Sequence, residues 1–173
     1  MKIAMWVLVA VMSLVGPSIA LDPSAVLSAQ DKTDSIIGTW ALNLSKSTYV
    51  TRRPPKNQTR TFDYTRDGLV LVTLHTVNAQ GNASFNHWYL ALDGKEHPEF
   101  SREKAAEPIL AISIKAVDPL TKELTGRRVE GGVMKVVDRF TFKVSEDRKT
   151  LSVIYQDVSG KPTGDIVVFD KQF

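Results

Sequence analysis

The chain of 173 residues contains no cysteine. That absence removes disulfides, zinc–thiolate sites, thiol nucleophiles and a lipid anchor carried on cysteine. Helix signals are scarce beyond residue 35, where only Ser101 to Ala106 reads as a single helical turn. There is no Ser-His-Asp set, no phosphate loop and no metal motif, and paired carboxylates such as Glu146-Asp147 fall in turns. Without such groups the sequence predicts no enzymatic activity, no cofactor and no metal. The formal net charge is only +3, and no basic run is interleaved with aromatics, so a nucleic-acid partner is not expected.

The longest apolar stretch, Ile3 to Val15, is also too short to cross a bilayer, which takes about 20 residues. It follows Lys2, is broken by Gly16-Pro17 and leads into Ser18-Ile19-Ala20. This is the layout of a secretory signal peptide over residues 1–20, and it predicts a periplasmic or secreted protein. Cleavage there removes one lysine and no acid, taking the formal charge from +3 to +2. Residues 21–35 are small and polar and read as a tether. Residues 36–173 suit one domain with its own core.

What the sequence does have is strands. About nine short β-rich windows follow one another, separated by turn residues. They are Ile36 to Leu44, Thr59 to Thr65, Leu69 to Val77, Ala83 to Leu92, Ile109 to Ala116, Glu123 to Val129, Val133 to Val144, Leu151 to Val158 and Asp165 to Phe173. Arg66-Asp67-Gly68, Asp93-Gly94 and Gly131-Gly132 are hairpin signals between them. Ser45 to Asn57 is a long polar loop whose Arg52-Arg53-Pro54-Pro55 forbids helix and central strand alike. Nearly all connections join neighbours in sequence. The fold class expected is therefore all-β, an antiparallel up-and-down barrel of about 8–10 strands. An outer-membrane barrel would need an apolar lipid face on every strand. Thr59 to Thr65 and Glu123 to Val129 lack one, so no membrane insertion is expected after the leader is removed.

Two segments carry a resemblance. Gly38-Thr39-Trp40-Ala41-Leu42-Asn43-Leu44-Ser45-Lys46-Ser47 opens the first strand, and Val168-Phe169-Asp170-Lys171-Gln172 lies in the last. Together they resemble bacterial lipocalin-like exported proteins within the wider calycin group. The resemblance spans residues 38 to 172 and is sharp only at its two ends. It implies a lipocalin-like barrel, a structural role for Trp40 capping the closed end, and a generic role in binding hydrophobic molecules. The chain lacks the disulfide and the late helix of vertebrate lipocalins, so their ligand contacts do not carry over residue by residue.

Period-2 patterning suggests which side chains face inward. On the third and fourth windows the better core face carries Val70, Val72, Leu74, Trp88, Leu90 and Leu92. His75 and His87 then share the opposite face and are expected outside, without a metal. If Glu130 pairs with Val133 across Gly131-Gly132, then Arg127, Thr125 and Asp138 share a face with Val129, Met134, Val136 and Phe140. An arginine inside an apolar barrel is a good carboxylate receptor, because its fork makes two charge-assisted bonds. The other reading of the same residues is a surface salt bridge. The expected ligand-binding set is Val72, Leu74, Trp88, Leu90, Arg127, Met134, Phe140 and Tyr155.

The function expected is binding of a small hydrophobic molecule, one able to carry a carboxylate. Burying roughly 300 Å2 of ligand at about 25 cal/mol per Å2 supplies roughly 7 kcal/mol before ordering costs, enough for micromolar affinity. Two alternatives stand beside it. A barrel filled by its own side chains would serve as an interaction module of the envelope. An isomerase or cyclase of the calycin type would need at least two titratable groups converging inside.

Overall fold

A computed structural model describes residues 34–98 and 110–172. The leader expected over residues 1–20, most of the tether expected over residues 21–35 and the helical turn expected at Ser101 to Ala106 lie outside the described residues. Ten strands run in chain order: β1 (Gly38–Leu42), β2 (Asn57–Tyr64), β3 (Val70–Val77), β4 (Ala83–Leu90), β5 (Glu96–Pro98), β6 (Leu110–Asp118), β7 (Thr121–Glu130), β8 (Val133–Val144), β9 (Thr150–Gln156) and β10 (Pro162–Lys171). They form a single antiparallel sheet in the order β4-β3-β2-β1-β10-β9-β8-β7-β6-β5. Every neighbour except the pair β1–β10 is a neighbour in sequence. The sheet rolls into a nearly closed up-and-down barrel whose seam lies between β4 and β5. The nine expected windows are all strands. β5, only three residues long, is the addition.

The turns follow from their residues. Gly131 and Gly132 have φ of 60° and 79°, the left-handed pair that a two-residue hairpin requires. Asn78 closes the β3–β4 hairpin by accepting from the amides of Gln80 and Asn82 at 3.0 and 2.9 Å.

Alternation along the strands puts one apolar face inside. Trp40, Phe62, Val70, Val72, Ile114, Phe142, Leu151, Val153 and Phe169 are buried together. Edge-to-face rings form a column up the interior: Phe62 to Phe142 at 5.6 Å, Phe142 to Phe140 at 5.1 Å, and Phe140 to Tyr155, tilted, at 5.7 Å.

The two ends of the barrel are built differently. The closed end gathers the segment before β1 and the β2–β3, β4–β5, β6–β7 and β8–β9 turns. There Trp40 is fully buried and its Nε1 donates to Ile36 O at 2.8 Å. Asp34 and Ser35, at the end of the tether, are docked here. Lys122 Nζ lies 3.0 Å from Asp34 Oδ1, and Ser35 Oγ donates to Pro119 O at 2.8 Å. The other end carries the β1–β2 strap, residues 43–56, and the β3–β4, β7–β8 and β9–β10 turns. A short 3-10 turn, Leu44–Lys46, starts the strap. The strap then runs beside β10, where Thr48 N donates to Ile166 O at 2.8 Å.

One irregularity decides the placement of a candidate site residue. Glu130 pairs with Val133 across the glycine turn, as the simplest register expects, and the pairing holds as far as Arg127↔Val136. The next pair is Gly126↔Asp138, so Val137 is an extra residue, a β-bulge. Beyond it every side chain of β8 changes face relative to an unbroken ladder.

Candidate functional site

Arg60 projects inward from β2. Its register partners are Trp40 on β1 and Leu74 on β3, both on the interior side. It is 4% exposed, although guanidinium is the most persistently charged group in proteins. Its Cζ lies 5.5 Å from the ring centres of both Phe142 and Phe169. Those π faces offset part of the desolvation, but they accept no hydrogen bond in the ordinary sense. Nε and Nη1 have no hydrogen-bond partner among the described residues. Burial pushes the Arg60 pKa down, the Tyr155 side chain opposes that shift through its charge and a hydrogen bond, and the positive charge of Arg52 adds to it. A buried cation with idle donors is costly unless an anion arrives.

Arg60 borders a cleft of about 240 Å3 near the open end. Trp88, Ile112, Leu124 and Phe140 supply its apolar wall. Gly126 leaves room there: a Cβ at that position would lie 3.2 Å from Asp138 Cβ. Asp138 and Tyr155 give it polar edges, and Arg52 reaches in from the strap. The Arg52 guanidinium stacks over the Tyr155 ring at 4.3 Å.

Asp165 on β10 holds the strap in place. Its carboxylate accepts from the amides of Val50 at 2.5 Å and Thr51 at 3.0 Å, and from the Thr51 hydroxyl. Burial alone would raise its pKa, but these hydrogen bonds outweigh it and leave the group at about 2.

The expected ligand-binding residues divide into three sets. Trp88, Phe140 and Tyr155 line the cleft. Val72 and Leu90 are buried in the core toward the closed end, with 0% and 2% exposure, and Leu74 is half-buried beside Arg60. Arg127 and Met134 do not reach the interior. Arg127 pairs with Ala111, which alternates with the inward Ile112, so it stands on the outer face. Its Nη1 lies 2.7 Å from Glu96 Oε1, a surface salt bridge. Met134 is 45% exposed on the β7–β8 hairpin. The physical reason is the bulge at Val137, which brings Phe140 and Asp138 inside while leaving Arg127 outside.

The cleft also has members that period-2 reading passed over: Arg60, Ile112, Leu124 and Arg52. Arg60 shares its face with Phe62 and Tyr64, and that parity was the available signal. His75 and His87 lie outside, flanking Phe85 with ring centres 6.4 and 6.5 Å away. Among the described residues no three His, Asp or Glu side chains gather as a metal site would require.

No protein-family model matches the chain, and no curated protein matches it in sequence. Among solved structures, its fold is similar to that of "As-p18, an extracellular fatty acid binding protein". The TM-score is 0.51 at 14% identity, covering 80% of this chain and 97% of that one. The fold is thus calycin-type, and at that identity the likeness concerns the fold alone.

Proposed function

We propose that this chain binds a small hydrophobic molecule bearing an acidic group, with the apolar part among Trp88, Ile112, Leu124 and Phe140 and the acid facing Arg60. The observation that carries the reading is Arg60 itself, a buried guanidinium whose Nε and Nη1 stand idle beside the cleft. Arg60 thereby takes the receptor role that the sequence pattern suggested for Arg127. The described name of the structural neighbour, a fatty acid binding protein, supports the same ligand class. We read the protein as a binder rather than an enzyme, exported by residues 1–20 and acting in the periplasm or medium. Val72, Leu74 and Leu90 shape the floor in this reading.

Trp88 lines the cleft and reports on it. Titration followed by tryptophan emission should show decanoic acid binding more tightly than decanol. Arg60→Met should remove about tenfold or more of the affinity for the acid, the worth of a charge-assisted hydrogen bond, and leave the alcohol nearly unchanged. Equal loss for both compounds would refute the acid receptor. Native mass spectrometry of protein purified from its own host would identify a co-purified molecule directly.

A further inference from the structure

We propose that the head group of the ligand is a phosphate ester, held between Arg60 and the strap residues Arg52 and Arg53, where the inner cleft borders a second chamber at the mouth of the barrel. This rests on the reading of the barrel as a binder of an acidic amphiphile, and it specifies the class.

The second chamber has a volume of about 230 Å3. Arg52, Arg53, Gln58, Asn78 and Gln80 border it, and among the described residues no Asp or Glu does. Arg52 and Tyr155 also border the inner cleft, so that stacked pair is the common border of the two spaces. Neither space alone reaches the roughly 300 Å3 at which small-molecule pockets begin, so a ligand of ordinary size spans both. Its tail then lies by Trp88 and Phe140, and its head lies at the junction, between Arg60 on the inner side and Arg52 and Arg53 of the strap.

The charges at the junction select the head. Residues 44–56 carry Lys46, Arg52, Arg53 and Lys56 and no acid. Lys46 is paired with Asp170, whereas Arg52, Arg53 and Arg60 have no ion-pair partner among the described residues. One carboxylate brings a single negative charge to these guanidiniums. A phosphate monoester brings roughly 1.5 to 2 negative charges and three strong acceptor oxygens. Guanidinium forks match those oxygens in pairs. The strap is also fixed in advance. The hydrogen bonds from Val50 and Thr51 to Asp165 hold the residues next to Arg52, so little ordering remains when the head arrives.

The test titrates the mature chain with 1-decanoyl lysophosphatidate, decanoic acid, 1-decanoylglycerol and glycerol 3-phosphate. The lysophosphatidate should bind about tenfold more tightly than decanoic acid, and the neutral glyceride more weakly than either. Arg52→Gln and Arg53→Gln, both on the exposed strap, should each weaken the lysophosphatidate by about tenfold and decanoic acid by roughly threefold or less. If decanoic acid matches the lysophosphatidate, or the variants weaken both alike, the phosphate assignment falls and the acidic-amphiphile reading survives. If glycerol 3-phosphate binds as tightly as the lysophosphatidate, the mouth is a site for a free phosphate ester, and the joined tail-and-head arrangement is overturned. If none of the four compounds binds, the amphiphile reading itself fails.

Discussion

The two ends of this barrel solve opposite problems with similar strands. At the closed end Trp40 Nε1 finds Ile36 O, Lys122 finds Asp34, and Ser35 finds Pro119 O. At the open end Arg60 keeps Nε and Nη1 idle, and Arg52 and Arg53 border empty space. The closed end stabilises the fold. The open end leaves a charge under-compensated where an outside partner can reach it. A buried cation with unfilled hydrogen-bonding capacity beside a cleft marks the candidate site here, because a filled core tolerates small voids but tolerates buried orphan donors poorly.

The contrast can be broken at its strongest point first. Trp40→Ala should destabilise the protein by about 3–5 kcal/mol, because a fully buried ring leaves a cavity and frees Ile36 O. Chemical denaturation measures this, and a loss below about 1 kcal/mol would mean that the closed end is not packed as described. An intermediate effect is expected at the strap. Asp165→Asn should cost about 1–2 kcal/mol at neutral pH by weakening the bonds from Val50 and Thr51. The same carboxylate has a depressed pKa of about 2 in the folded state. Its stabilisation is therefore complete above the unfolded value of about 4 and is lost as pH falls through about 2. The Asn variant should show a shallower decline in stability across that window. An identical acid profile for both proteins would show that the strap does not depend on this charge. The smallest effect, and the most telling, is at Arg60. Arg60→Met should leave stability within about 1 kcal/mol or raise it, since an apolar side chain replaces a buried cation that has no carboxylate partner among the described residues. A loss of about 3 kcal/mol would mark Arg60 as a structural member of the core.

Much of this architecture was legible in the chain. Period-2 windows and glycine turns located the strands, because each hairpin is closed by residues near in sequence and each strand has one apolar face. The inward positions of Trp88, Phe140 and Tyr155 followed from the same alternation. Arg127 did not, because a single extra residue at Val137 resets the parity of β8, and nothing in the composition of that strand announces it. Arg60 was hidden for a different reason. Its charge interrupts the apolar face of β2, so a reading that expects clean faces treats the strand as featureless at its most informative position. β5 is too short to carry a pattern at all.

The one pairing between strands distant in sequence, β1 with β10, also bears on how the barrel assembles. Trp40 meets Lys171 across it, while every other ladder joins strands that follow one another. Closing a long loop costs more entropy than closing a hairpin, and that cost must be met before its contacts stabilise anything. The physical expectation is a folding nucleus among the hairpins, with the cylinder zipped shut at β1–β10 afterwards. Conservative substitutions at that junction, such as Leu42→Ala, should then speed unfolding and leave the folding rate nearly unchanged. A matching fall in the folding rate would place closure before the rate-limiting barrier.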